Sequence, residues 1–291
     1  WMADHHPEAI MADYVLTENG GLHTGDSDNP HIGMNVGEKG VAWRRLRIKG
    51  TPGHGSAPFR SDNALVRAAG VVQRLADYRP PPQFHELWRQ QVDILDVDDE
   101  TKSIMLDEAK IEDWLDAHPV EGLARHFYSC THTTFSPNVA ESDRRMKTNV
   151  IPDQIDVNVD IRTLPGESGA EVQAHLDAAL GDLADQVDVE IIMNDPASIS
   201  RIDNPMWDTI QKAVNQPFPS ARLVPQLIVG FTDARVYRNL GSIAYGAGLF
   251  SPDLKSSDFM SRFHGHNERI DVESLSLTTQ FWIDVCQDFL S

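Results

Sequence analysis

The sequence predicts an α/β protein in which an α/β layer is interrupted by an inserted, ferredoxin-like α+β domain. Three observations carry this. Residues 42–195 read strand, helix, two strands, helix, strand, which is the split β-α-β order. After Asp195 strand-like and helix-periodic runs alternate, as they do in an α/β layer. Residues 1–40 form an orphan piece with a strand-like run, Tyr14-Val15-Leu16, whose natural partner is that later layer. The expected domains are therefore 1–41 with 198–291, and 42–197 between them.

Taken in order, residues 41–49 alternate well enough for a strand. Gly50 to Pro58 then breaks any regular element. Ser61 or Asp62 can cap a helix running to about Asp77, with Leu65, Ala68, Ala69, Val72, Leu75 and Ala76 as its apolar stripe. Pro80-Pro81-Pro82 ends it. Residues 83–128 are mixed and read as a large insertion, with an acidic loop from Asp93 to Glu100 and a short helix over 111–117. Strands follow at 129–137 and 154–163. Ser168 and Glu171 form a capping box for a helix bearing Val172, Leu176, Ala179, Leu180 and Leu183. A strand at 187–193 completes the insert. A helix at 204–215, a buried strand at 222–229, a helix at 233–240 and a short strand at 243–248 precede a C-terminal helix starting near Asp271. Leu275, Thr279, Trp282, Cys286 and Phe289 lie on one face of that last helix.

Composition narrows the function. The 291 residues are 41% apolar and 24% charged, ordinary globular values. Lys plus Arg is 25 against 44 Asp plus Glu, a formal charge of −19. That balance disfavours nucleic acid and anionic membrane surfaces, which need clustered cations. Asp is the dominant acid, at 30 residues against 14 Glu, and there are only 7 Lys, which gives a well-hydrated surface. No apolar run reaches the roughly 18 residues of a membrane span. Two distant cysteines, Cys130 and Cys286, give neither a disulfide framework nor a thiolate zinc module. With no basic-then-apolar leader, a reduced, cytoplasmic compartment is the expectation. The opening Trp1-Met2-Ala3-Asp4 reads as the interior of a longer chain.

Phosphate loops, dinucleotide fingerprints, nucleophile elbows and His-Glu-x-x-His are all absent. A few local strings remain. Ala12 to Gly21 puts Glu18 at the end of a buried strand, where α/β sheets collect ligands; taken singly, it reads better as a turn-capping carboxylate. Lys49 to Pro58 surrounds His54 with small residues, so that a substrate could approach the ring closely, or it is simply a tight turn with an exposed histidine. Thr148-Asn149-Val150-Ile151-Pro152-Asp153, followed by Asp160-Ile161-Arg162-Thr163-Leu164-Pro165-Gly166, reads as strand and turn. Phe231-Thr232-Asp233-Ala234-Arg235 and Arg262 to Ile270 are dense in charged and donor groups beside glycine.

Together and in this order, these strings resemble the M20 family of metallopeptidases and amidohydrolases, above all its peptidase and aminoacylase branch, over residues 10–290. The resemblance implies a zinc-peptidase-like catalytic layer with an inserted lid and dimerisation domain. It implies hydrolysis of an amide or peptide bond next to a free carboxylate, in a peptide or N-acyl amino acid, by a homodimer. It also implies two zinc ions per intact site, or cobalt or manganese in their place, with Glu18 a ligand of one ion and His264 of the other. His54, at the tip of the lid, would stabilise the oxyanion in the partner's site. Asn149 matches a second residue delivered from the partner. Arg162 and Arg235 match positions near the substrate carboxylate, which a guanidinium fork grips at two points.

The family's upstream ligands, a His-x-Asp, a bridging Asp and a Glu-Glu pair, would precede Glu18 and are not in this chain. A zinc needs about four ligands, or three plus water, so each metal keeps one family ligand here. The chain alone is expected to be inactive. A non-catalytic dimerisation or binding module is the alternative, and a rearranged metal site another.

Overall fold

A computed structural model describes residues 1–24, 30–95, 97–142, 145–255, 258–259, 262 and 266–291. The chain divides into two compact units, Trp1–Glu38 with Phe84–Thr131 and Ser198–Ser291, and Lys39–Gln83 with His132–Ala197. The sequence reading assigned all of 42–197 to the insert; Phe84–Thr131 groups instead with the first unit.

In the first unit, a short helix α1 (Met2–His5) precedes β1 (Tyr14–Thr17), β2 (Leu22–Thr24) and β3 (His31–Glu38). Strand β3 is the centre of the sheet. It pairs in parallel with β12 (Arg222–Ile228) along its length. It also meets β2, β13 (Ile243–Gly246) and β11 (Ser198–Ile199), all antiparallel. Strand β1 adds outside β13, in parallel. Pairing of the 1–40 piece with the later strands is as the sequence predicts, although β3 itself is not among the expected strands. Its alternation is genuine: Ile32, Met34 and Val36 are fully buried, while glycines occupy the other face. A Cβ on Gly33 would lie 2.3 Å from the Gln226 side chain, and one on Gly37 would lie 2.9 Å from Ile199.

Helix α8 (Pro205–Asn215) buries Met206, Ile210, Ala213 and Val214 in this unit's core. The C-terminal helix, α10 (Val272–Leu290), contributes Phe281 and Val285. Leu275 and Cys286 of the expected stripe are exposed, so the buried face is rotated from the one read by periodicity. Asp271 caps this helix: its carboxylate accepts from Ser274 N at 2.7 Å and from Arg262 Nη1 at 2.8 Å. Helices α3 (Glu86–Ile94), α4 (Asp99–Met105), α5 (Ile111–Asp116) and α6 (Glu121–Thr131) enclose a separate core of Trp88, Met105, Ile111, Phe127 and Cys130. The expected acidic loop is in fact the end of α3 and an α4 capped by Asp98.

In the second unit, β5 (Arg44–Lys49), α2 (Ala64–Asp77), β7 (Thr134–Glu141), β9 (Gln154–Thr163), α7 (Gly169–Leu180) and β10 (Val187–Ile191) form an antiparallel sheet with helices. Its order is β10-β5-β9-β7, and β4 (Gly40–Val41) also pairs with β9. That is the ferredoxin-like pattern. Asn63, not Ser61 or Asp62, caps α2 by accepting from Leu65 N at 2.9 Å. The buried stripe is accordingly Ala64, Ala68, Val71 and Leu75, and Leu65 is exposed. The capping box of Ser168 and Glu171 is present. Among the described residues no helix is long and apolar enough to cross a membrane.

Glu38 and Arg238 form a buried ion pair at 2.6 Å. Arg238→Met should destabilise the protein by about 3–5 kcal/mol, because it strands a buried carboxylate; denaturant unfolding with a loss under about 1 kcal/mol would contradict this. The Ser274 N–H, helped by Arg262, holds the Asp271 carboxyl down at about 2. A depressed carboxyl stabilises above its unfolded pKa of about 3.9, and that contribution fades as pH falls toward 2. Asp271→Ala should cost about 1 kcal/mol at neutral pH and flatten the stability profile between roughly pH 4 and pH 2. Unaltered acid unfolding in the variant would refute the cap.

Candidate functional site

Two of the sequence-selected residues meet in the second unit. Beyond β5 the chain makes a two-residue strand β6 (Gly53–His54), paired with β8 (Val150–Ile151), with His54 opposite Val150. Gly55 N donates to Asn149 O at 2.8 Å, which places Asn149 beside the His54 turn. A Cβ on Gly55 would press on the Asn149 backbone at 3.1–3.3 Å, so a residue without one suits this crossing. Both His54 and Asn149 are exposed. Ser56 folds back on the ring: its backbone N–H donates to His54 Nδ1 at 3.2 Å, and its Oγ lies 2.7 Å from the same nitrogen.

Arg162 stands apart from this pair. It sits on β9 opposite Val41 and Thr134, while the β6–β8 pair adjoins the other end, where Gln154 opposes Lys49. Eight residues of strand separate the two ends, about 26 Å at roughly 3.3 Å per residue. Arg162 Nε and Nη2 donate to Asp160 at 2.7 and 3.1 Å, and Trp43 Nε1 shares that carboxylate at 2.8 Å. Part of its fork is therefore already engaged by its own strand.

Nearby, Glu167 is a buried hub. It accepts from Leu164 N at 2.8 Å, Gln83 Nε2 at 2.9 Å, Thr133 Oγ1 and His175 Nε2, and Tyr78 OH lies 2.8 Å from His175 Nδ1. Burial alone would push the Glu167 carboxyl up. The bonds from His175, Thr133 and Leu164 N outweigh it and leave the carboxyl below its usual range. Burial, aided by the Glu167 charge, pushes the Tyr78 phenol up.

In the first unit, Glu18 is an exposed residue in the turn that follows β1. Its carbonyl lies where a Cβ on Gly246 would be, which brings the turn against the end of β13, level with Asn35 of β3. Arg235 opens α9 (Ala234–Asn239), with its guanidinium 4.4 Å from the Phe231 ring centroid. It acts electrostatically on Glu38, the last residue of β3. His264 lies outside the described residues.

Sequence reasoning did not select the buried pair that anchors this end of the sheet. Glu38 Oε1 accepts from Arg238 Nη1, and Thr232 N donates to Oε2. Arg238 also donates to Ala244 O at 2.8 and 3.0 Å and approaches the hydroxyls of Ser198 and Ser200. Burial raises the Glu38 carboxyl and lowers the Arg238 guanidinium, and each partner opposes the shift of the other. Glu38 ends a run of alternating apolar residues, a recognisable signal. Arg238 lies on a short helix whose sequence carries no such mark.

Among the described residues, no group of three or more His, Cys, Asp or Glu side chains comes together to hold a metal. Glu18 alone does not make a cage, so the described residues do not fit a zinc pair.

The fold coincides with that of known proteins. The peptidase dimerisation domain of the M20 family matches residues 36–188, and the chain belongs to the M20 peptidase family. It is 27% identical over 286 residues to the N-fatty-acyl-amino acid synthase/hydrolase PM20D1 of Xenopus tropicalis, covering 96% of this chain and 54% of that protein. It is 25% identical over 262 residues to a probable carboxypeptidase S-like 2 of Dictyostelium discoideum, covering 87% and 47%. The chain thus spans about half the length of these curated relatives. Among solved structures, an M20 metallo-carboxypeptidase of Sulfolobus solfataricus shares the fold at a TM-score of 0.64 and 15% identity, over 98% of this chain and 65% of that one. Human carnosine dipeptidase 1 does so at 0.59 and 14%, over 98% and 61%.

The expected metal behaviour is direct. After dialysis, the 291-residue chain should hold no stoichiometric zinc by elemental analysis, since a single carboxylate and a single imidazole are weak ligands. Two tightly held ions per chain would overturn this.

Proposed function

We propose that this chain is the lid-bearing part of an M20-type hydrolase that cleaves an amide or peptide bond next to a free carboxylate. The observation that carries the proposal is the exposed His54 turn beside Asn149, next to the end of the β5–β9 pair that lies away from Arg162. A histidine exposed on such a turn is suited to another subunit's site. There its Nε2–H donates to the carbonyl oxygen as negative charge develops on it. Arg235, stacked on Phe231, grips the substrate carboxylate, and Arg162 is a second candidate for that task. Glu18 and His264 are assigned as one ligand each of the two zinc ions.

The relatives' names support the substrate class: carboxypeptidase, dipeptidase, and hydrolase of N-fatty-acyl amino acids. Their substrates share an amide bond near a free carboxylate. A homodimer through the second unit is supported by the family match and by the exposed side chains Phe59 and Val66. Among the described residues β7 pairs with β9 alone, so its other edge is available to a partner strand. A cytoplasmic setting is part of the proposal, because neither Cys130 nor Cys286 is joined in a disulfide. A second reading, a dimerisation or binding module without catalysis, is favoured by the lack of a metal-ligating cluster among the described residues.

Release of free amino acid from N-acyl amino acids and dipeptides, measured for the protein at its full natural length, separates the two readings. Methylation of the substrate carboxylate should slow cleavage at least about tenfold. His54→Ala should lower kcat about 10²–10³ with little change in KM, as loss of an oxyanion donor does. Mixing it with His264→Ala should partly restore activity, because one site of the mixed dimer keeps both groups. A strictly monomeric mass, or no recovery after verified subunit exchange, would refute delivery from a partner. No turnover of any such substrate would favour the binding module.

A further inference from the structure

We propose that Ser56 is a positioning residue for His54, holding its imidazole in the tautomer that carries hydrogen on Nε2. The inference deepens the reading of His54 as an oxyanion donor and rests on it for its functional meaning; the tautomer itself rests on geometry alone.

The backbone N–H of Ser56 lies 3.2 Å from His54 Nδ1 in donor geometry. A backbone N–H can only donate, so Nδ1 must present its lone pair. The Ser56 Oγ is 2.7 Å from the same nitrogen, and a hydroxyl facing a lone pair donates as well. Neutral imidazole has one ring hydrogen, and with Nδ1 committed as acceptor it resides on Nε2. Only that tautomer offers an N–H at Nε2 to a developing oxyanion; the other would present a lone pair there.

The turn makes the arrangement inherent in the chain. Ala57 N donates to His54 O at 3.0 Å, closing a tight turn that brings Ser56 under the ring. Gly55, between them, permits the approach to Asn149. The residue two positions after the histidine thus orients the ring, and a residue without a hydroxyl there keeps only the weaker, longer bond.

The test reads the tautomer directly. In the full 291-residue chain labelled with nitrogen-15, two-bond proton–nitrogen correlation at about pH 9, well above the usual imidazole titration, identifies which ring nitrogen of His54 is protonated. Absence of the same signals in His54→Ala assigns them. The expected spectrum has an unprotonated Nδ1 and a protonated Nε2. Ser56→Ala should reduce the ratio of the Nε2–H to the Nδ1–H form about two- to fivefold, the size of one modest hydrogen bond. Ser56→Thr, which keeps the hydroxyl, should restore it. A predominantly Nδ1-protonated ring, or a ratio unchanged in Ser56→Ala with a folded amide spectrum, overturns the proposal. Neither result bears on turnover, so the oxyanion role of His54 stands or falls separately by the kinetics of His54→Ala.

Discussion

A carboxylate that water barely reaches, Glu38 at the end of the central strand, dictates much of the first unit. Removing such a charge from water costs several kcal/mol, and the surrounding elements are arranged to offset it. Helix α9 supplies Arg238, the loop before that helix supplies the Thr232 N–H, and Arg238 is itself held by Ala244 of β13 and by the serines at β11. One ion pair therefore ties β3, β11, β13 and α9. The residue after Glu38 is also fully buried and charged: Lys39, first residue of the second unit, donates from Nζ to His132 O at 2.6 Å.

The second unit has a comparable centre in Glu167. Gln83 and Thr133 both donate to it. These residues sit at or beside the points where the chain leaves the second unit after Gln83 and re-enters at His132. A further pairing between Val41 and Asp195 joins the first entry to the last exit. The sheet end that holds Arg162 is thus stiffened by buried polar bonds. The end that holds His54 and Asn149 is a bare turn on a two-stranded ribbon.

Much of this was legible in the residues. The split order of strands and helices, the capping box at Ser168 and the strand at Gln154–Thr163 all follow from local periodicity and turn chemistry. The His54 and Asn149 strings read singly as turn and strand, and only their order along the chain resembles the M20 family. Strand β3 was hidden because its second face is glycine and asparagine, a pattern set by the close approach of Gln226 and Ile199 rather than by propensity. The stripe of α2 was misread by one residue because the cap is Asn63, and any of three adjacent polar residues could have served. The membership of Phe84–Thr131 in the first unit, and the pairing of Glu38 with a residue 200 positions away, are tertiary facts that leave no local trace.

The excursion of Phe84–Thr131 has a consequence for how the chain reaches its native state. Strands β5 and β7 flank β9 in one sheet, yet 84 residues separate Lys49 from Thr134. Joining them closes a long loop whose entropy must be met before pairing rewards it. The excursion shortens the effective loop, because His85 Nε2 meets Cys130 O at 2.9 Å where the segment leaves and returns. A helical cluster that forms early would bring Gln83 and His132 together before either sheet is complete. Each unit then depends on chain from both sides of the other, so neither can be excised as one continuous fragment, and the two are bound to mature as interlaced rather than successive folding events.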